Sequence, residues 1–314
     1  MHKPDPKRIL FDRFAAIFAL LAAASYDYGI RIWILAAVAV AITLVTERIC
    51  LAIRKKPFTA ENLDAGIIGL VLLLLLPPGV PVSLLIMSCI FAIIIGRQMF
   101  GGKENPVILP AAAGYCFSML NNRAAVTLFP ESRAHLPLII PDSSALTDGI
   151  SFAWNRAGRF TVNPLEWLTG LPQQPIGTGS VILLAAIAVV LIARRAASGW
   201  VIVPAAVTMI VCNLMISNLQ HPMATVVGSM LTNQTLTALI FLHADPDHAP
   251  PHLAGIAYGF AVGFASFFAT RILFICDAPV LLAVLLSPLM IWLRRVMTEP
   301  ESAKTVSAER GTAA

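Results

Sequence analysis

Apolar stretches recur along nearly the whole of this 314-residue chain, each about as long as a helix needs to cross a hydrocarbon layer of ~30 Å. Inside lipid every backbone N–H and C=O has to find a partner within the protein, so repeated crossings of this length restrict the fold to a helix bundle. The expected class is an all-α polytopic membrane protein with about ten transmembrane helices. Composition agrees, with 58% hydrophobic residues, 12% charged residues and a mean hydropathy of +0.80, outside the range of ordinary soluble domains.

The pattern predicts spans over residues 9–25, 29–47, 64–77, 81–99, 105–120, 177–193, 199–217, 223–242, 252–271 and 278–293. The span at 64–77 is short and irregular residues flank 105–120, so a broken or re-entrant helix is expected at either place. Five spans precede the long connection and five follow it, which gives two five-helix halves of opposite topology. Each half has a third span that runs into a proline-marked turn, LLLLLPPG in the first and LIFLHADP in the second, the plan of an inverted repeat. The expected divisions are a first membrane half at 1–120, an external loop or cap at 121–176, a second membrane half at 177–295 and a flexible cytoplasmic tail at 296–314.

A formal charge of +5 does not point to nucleic acid, because the basic residues sit in short loops between apolar runs. Lys3, Lys7 and Arg8 precede the first span; Arg48, Arg54, Lys55 and Lys56 follow the second; Arg97 and Lys103 follow the fourth; Arg194 and Arg195 follow the sixth; Arg294 and Arg295 follow the tenth. By the positive-inside rule all five positions face the cytoplasm of a bacterial inner (plasma) membrane, with both termini inside and residues 121–176 outside. The connection Asp245 to Pro251 argues against this scheme, since parity places it inside although it carries Asp245 and Asp247 and no Lys or Arg. A cleavable signal peptide fits poorly, because Asp12 and Arg13 interrupt the first apolar segment.

Several polar groups stand out against this background. In FGGKENPVILPAAAGY the pair Gly101 and Gly102 permits unusual backbone geometry, and Asn105 is placed to cap a helix whose first amides would face an anionic cofactor group; a plain helix-breaking turn explains the same residues. In GSMLTNQTLTALIFLHADPD, Thr232, Asn233, Gln234, Thr235 and Thr237 bring amides and hydroxyls into an apolar helix, where they either line a flavin or ion path or bond neighbouring helices. His243, Asp245, Asp247, His248 and His252 lack the spacing of a metal site and read as a polar turn. Asn62 or Asp64 reads as the cap of the third span, with Asp64 alternatively acting on cation passage where it faces a protein cavity, and Gly255, Gly259 and Gly263 form a four-residue stripe suited to close helix packing. The five isolated cysteines read as small packing residues.

The segments DAGIIGLVLLLLLPP, AIIIGRQMFGGKENPVILPAAAGYCF and LHADP resemble, in order and spacing, the membrane-embedded D subunit of Rnf-type ion-translocating electron-transport complexes. They are similar also to the B subunit of the sodium-translocating NADH:quinone reductase. The resemblance implies a non-autonomous flavoprotein component of an ion-translocating oxidoreductase. Its partners would be other membrane and iron–sulfur or flavin subunits, and Na+ or H+ the coupled ion. It further implies an external flavin site close to DGxSGAT, in which the threonine carries FMN through a phosphoester bond. Here the matching stretch is DGISFAW. Asp148, Gly149 and Ser151 agree, Phe152 replaces glycine, and Trp154 occupies the acceptor position without a hydroxyl to esterify.

The usual covalent FMN-threonine is therefore absent. FMN or riboflavin is expected to bind noncovalently, with Asn105, Asp148, Ser151, Trp154, Asn233, Thr235 and Thr237 as the candidate flavin-binding residues and no catalytic residue or metal ligand assigned. Trp154 stacks on the flavin or packs at the membrane interface. Two other functions stay open: a flavin-free secondary transporter or channel on the same scaffold, and a structural subunit that docks redox partners. No glycine-rich dinucleotide fingerprint is present, so NADH oxidation by this chain alone is not expected.

Overall fold

Prolines and polar breaks decide where the apolar runs stop being helix. In a computed structural model the chain is described over residues 6–103, 105–130, 136, 146–157, 173–179, 181–217 and 222–311. A helical hairpin opens the fold, α1 (Pro6–Tyr28) and α2 (Arg31–Ile53), turned by Gly29 at φ 77°. Helix α3 (Asp64–Leu75) stops because Leu76, held extended by the following Pro77, can no longer continue it. The carbonyl freed there accepts from Ile176 N–H at 3.1 Å. Arg31, buried at the start of α2, donates to the Pro78 and Val80 carbonyls at 3.0 and 2.8 Å. The broken span is thus closed by the protein itself, as a water-poor surrounding demands.

Helix α4 (Val82–Ile93) widens into a π-helical turn at Ile94–Gln98 before the Gly101–Gly102 turn, and α5 (Pro110–Asn121) follows. Beyond it lie the short α6 (Arg123–Thr127) and a two-stranded antiparallel ribbon. In this ribbon β1 (Leu128–Pro130) pairs with β2 (Leu146–Asp148), Phe129 opposite Thr147. Helix α7 (Ile150–Ala157) leads out of β2. Phe160 and Trp167, aromatic residues of the connection at 121–176, lie outside the described residues.

The second half begins with a buried turn at Ile176–Thr178, so its first helix, α8 (Val181–Ala193), starts later than the span expected from residue 177. Gly177 is required there: a Cβ would stand 2.8 Å from Leu74 Cβ and 2.9 Å from the Leu74 carbonyl. After α9 (Gly199–Ile216) comes a broken span, made of α10 (Pro222–Leu231), the left-handed residues Asn233 and Gln234, α11 (Thr235–Ala238) and a π turn at Leu239–His243. Helix α12 (His252–Arg271) packs its glycine stripe on α9. Cβ atoms at Gly255, Gly259 and Gly263 would meet the Pro250, Val201 and Ala205 carbonyls at 2.8, 2.7 and 2.6 Å.

Helix α13 (Ala278–Gly311) runs past residue 295, where the tail was expected to start, through EPESAKTVSAER, a stretch of mostly good helix formers. Six of the described helices are long and apolar enough to cross a membrane, and Val82–Gln98 and Val181–Ala193 are shorter apolar helices. The protein is therefore a mostly helical polytopic membrane protein.

Candidate functional site

Two consecutive left-handed residues inside an apolar span are expensive, roughly 1–2 kcal/mol each for side chains other than glycine. The surroundings show what holds them. Asn233 N–H, released from the helix ladder by the break, donates to Ser151 Oγ of α7 at 2.8 Å. One turn further along α7, on the same face, Asn155 exchanges two amide hydrogen bonds with Asn233, Nδ2 to Oδ1 at 2.9 Å and the reverse at 2.8 Å. Asn233 Oδ1 also accepts from Asp277 N–H at 3.2 Å, and its Nδ2 reaches Thr232 Oγ1 at 3.3 Å. Both amides are buried, and every hydrogen-bonding position of Asn233 is taken.

Trp154 lies between these contacts, only 3% exposed. The Arg271 guanidinium, from the end of α12, sits 5.2 Å from the centre of its ring and donates to its carbonyl. A partly desolvated cation over an indole face is a favourable pair, and it fixes α7 to the second half. Trp154 is thus an internal packing residue rather than a side chain laid along a membrane interface. Asp148 is exposed at the end of β2.

Beneath the amide pair, Gln234 Nε2 donates to Tyr115 Oη at 3.2 Å, and Tyr115 Oη lies 2.7 Å from Asp277 Oδ2. All three side chains are buried. Thr235 Oγ1 turns back to the Thr232 carbonyl at 2.9 Å, and Thr237 Oγ1 donates to the Gly177 carbonyl at 3.2 Å. The Thr237 contact joins two segments, whereas Thr235 bonds within its own span.

Asn105 is elsewhere. It is exposed in the turn after α4, where its N–H donates to the Gly102 carbonyl at 3.2 Å. It does not cap α5, contrary to expectation. Leu109, extended ahead of Pro110, is the cap residue, because a residue before proline is driven out of the helical region while proline suits the first helical position. Its turn is cationic on one side: Arg54 donates to Gln98 Oε1 at 2.8 Å and to the Gly101 carbonyl at 3.1 Å, and Lys103 Nζ lies 3.1 Å from Asp64 Oδ2.

Asp64 also departs from the cap reading. It is the first residue of α3, and it pairs with Arg97 at 2.8 Å. Arg97 in turn lies 3.3 Å from Glu47, which is 1% exposed and accepts from Gln98 Nε2 at 2.7 Å and Asn62 Nδ2 at 3.3 Å. Sequence reasoning missed Glu47 and Arg97 as partners.

The polar turn after the second broken span is neutralised from a distance. Arg13 pairs with Asp245 at 3.0 Å and donates to the Phe241 carbonyl at 3.2 Å; His248 lies 3.3 Å from Asp245; Arg294 donates to the Pro246 carbonyl at 2.9 Å. The acidic connection that sat awkwardly with charge bias therefore shares its end of the bundle with basic residues from α1 and α13. Burial works to raise the Asp245 carboxyl, but Arg13 and His248 outweigh it and hold the group well below the usual carboxylate range. His243 donates from Nε2 to the Pro279 carbonyl at 2.9 Å, which leaves Nδ1 to accept from Tyr258 Oη at 3.0 Å. Among the described residues no group of three or more His, Cys, Asp or Glu is placed to hold a metal ion.

Comparison with known proteins gives this arrangement a context. Residues 2–304 match the family described as NQR2, RnfD, RnfE. The D subunit of the Na(+)-translocating ferredoxin:NAD(+) oxidoreductase complex of Acetobacterium woodii is 30% identical over 173 residues, covering 54% of this chain and 51% of that protein. The D subunit of the ion-translocating oxidoreductase complex of Sodalis glossinidius is 27% identical over 184 residues, 54% of this chain and 53% of its own length. The corresponding protein of Actinobacillus succinogenes is 27% identical over 192 residues, 54% of each. The chain spans about half the length of the curated relatives it matches. With nearly its whole length accounted for by the family pattern, the chain belongs to the NQR2, RnfD, RnfE family.

Proposed function

We propose that this protein is a membrane subunit of a multisubunit, redox-driven electron-transport complex that translocates Na+ or H+. The family match over residues 2–304 carries this reading, and the chain supplies the ion-coupling and insulating framework while bound cofactors carry the electrons. In this reading about ten spans form two five-helix inverted repeats in a bacterial inner membrane, with both termini cytoplasmic. An interrupted third span in each half supports it, ended at Leu76 in one and broken at Asn233–Gln234 in the other.

Flavin belongs to the same proposal, held noncovalently. The residues differ in how well they suit it. Ser151, Trp154, Asn233, Thr235 and Thr237 are engaged with one another and with neighbouring segments, so the α7 cluster does not fit an isoalloxazine ring. Asn105 is exposed in the same turn as Lys103, which pairs with Asp64, and as the Gly101 carbonyl held by Arg54; cations of this kind are what the anionic phosphate of FMN would need. A flavin there would supply one- and two-electron transfer; the chain's own part would be to bind and orient it.

The same saturation of the α7 cluster favours the flavin-free transporter as a second reading. Gentle purification from native membranes followed by reconstitution into vesicles separates the two. Co-purifying iron–sulfur or flavin subunits together with Na+ or H+ uptake driven by a reductant support the redox complex. Cation or solute flux from the chain alone, with no reductant, contradicts it.

A further inference from the structure

Three side chains from three elements meet below the Asn155–Asn233 pair: Tyr115 of α5, Gln234 at the break between α10 and α11, and Asp277 just before α13. Counted bond by bond, the trio is one hydrogen short. The single hydroxyl hydrogen of Tyr115 serves Asp277 Oδ2, Gln234 Nε2 serves Tyr115 Oη, and Gln234 Oε1 is a buried acceptor with no donor. Turning the Gln234 amide over does not mend this. Its oxygen would then face Tyr115 Oη, and one hydroxyl hydrogen would have to serve both the amide oxygen and the carboxylate. No described Lys, Arg or His forms an ion pair with Asp277.

We propose that Asp277, Tyr115 and Gln234 form a buried proton-binding site at the break between α10 and α11. A proton taken up converts the carboxylate into –COOH, and the new O–H donates to Gln234 Oε1. The Gln234 amide is within reach of this carboxyl, its nitrogen serving the charged form, and it turns its oxygen to the protonated one. The result is a closed ring, Asp277 to Gln234 to Tyr115 to Asp277, in which every group is paired. One missing donor is supplied by one proton, whereas a hard metal ion calls for about six converging oxygens.

The charged groups around the site leave the carboxyl free to titrate. Tyr115 and Gln234 face it from α5 and the break, the neutral Asn233 faces its backbone, and Cys276 is its neighbour in the chain, with Arg123 and Asp148 acting on Cys276 from farther away. Burial raises the Asp277 carboxyl above its ordinary value, against the smaller opposing pull of the Tyr115 and Gln234 hydrogen bonds. Proton binding here deepens the proposed ion translocation and rests on it for its purpose, but the binding itself requires neither flavin nor reductant.

The test is the infrared C=O absorption of protonated carboxyl groups in the protein purified with its native partners, followed as pH is raised. A band that persists above the ordinary carboxylate range, disappears on further alkalinisation and is missing from Asp277→Asn is the expected result. Tyr115→Phe removes a donor that favours the charged form, so it should tighten proton binding about tenfold and move the loss of the band about one pH unit higher. An unmoved band in Tyr115→Phe overturns the assignment, and this comparison stands even where Asp277→Asn fails to accumulate. Absence of any Asp277-dependent band overturns it too, as does a band that ignores pH but vanishes on adding sodium chloride. A flavin-free preparation that still shows the titration would sink the redox reading and leave this site standing; a flavin-loaded one without it would do the reverse.

Discussion

Asn155 and Asn233, 78 positions apart in the chain, exchange both amide hydrogen bonds, at 2.9 and 2.8 Å, and so fasten α7 to the one place where the span Pro222–His243 breaks. The pair makes the helix break and the docking of α7 a single structural event. Neither half of it is well satisfied without the other.

Asn155→Ala should therefore leave the buried Asn233 amide short of one donor and one acceptor partner, with only Asp277 N–H and Thr232 Oγ1 remaining, and destabilise the protein by about 1–3 kcal/mol. Asn233→Ala should cost a similar amount, and the double variant less than the sum, because the second substitution finds the interaction already lost. Thermal midpoints of detergent-solubilised protein check this. Additive shifts would show that the two amides are not coupled.

A threonine at Trp154, the position the resemblance matches to flavin attachment, should not produce covalent flavin. Trp154→Thr empties a buried site beneath Arg271 and should cost about 3–5 kcal/mol in stability. No flavin fluorescence should remain on the denatured band, since DGISFAW still carries Phe152 where the family pattern has glycine. A fluorescent band would mean that the local pocket is intact and lacked only the hydroxyl.

The ion network at the end of α4 is a stability prediction of another kind. Arg97→Met leaves Glu47 buried beside Asn62 and Gln98 without a cation, which should cost about 3–5 kcal/mol. Adding Glu47→Gln should recover part of that loss. Unfolding midpoints of the single and double variants measure it, and a double variant less stable than Arg97→Met would contradict the pairing.

Asp245 makes a prediction in pH. Its folded carboxyl is held below its unfolded value, so its contribution is complete above the unfolded pKa of about 4 and is lost as pH falls below that value. Asp245→Asn should lose stability at pH 7 and show a flatter decline on acidification than the wild type. Parallel acid curves for the two would contradict the Arg13–Asp245 assignment.

Gly259→Leu places a side chain where even a Cβ lies 2.7 Å from the Val201 carbonyl, so α12 and α9 must separate. Accumulation in the membrane should fall before any chemistry is altered. A variant that accumulates normally while losing only turnover would show that the stripe serves more than packing.

Much of the scaffold was legible in the sequence, because its causes are local. Apolar run lengths gave the helices, Pro77 and Pro78 gave the first break, and the spacing of Gly255, Gly259 and Gly263 gave the α9–α12 contact. The site was legible only in part. Asn105, Ser151 and Asn233 looked like one candidate set, but Asn105 lies in the Gly101–Gly102 turn and only the other two meet, because Pro110 rather than Asn105 starts α5. Asn155 escaped notice although its four-residue spacing from Ser151 puts both on one face of α7. Tyr115 and Asp277 could not be found in this way, since nothing local marks a hydroxyl and a carboxyl that meet 162 positions apart.

The most direct measurement is the flavin content of the protein purified gently with its native partners, repeated on the denatured polypeptide band. Flavin in the native sample and none on the band is the predicted result, that of a redox subunit holding its cofactor noncovalently. No flavin in either, with the complex intact, would contradict the redox reading, and flavin retained on the band would contradict noncovalent binding.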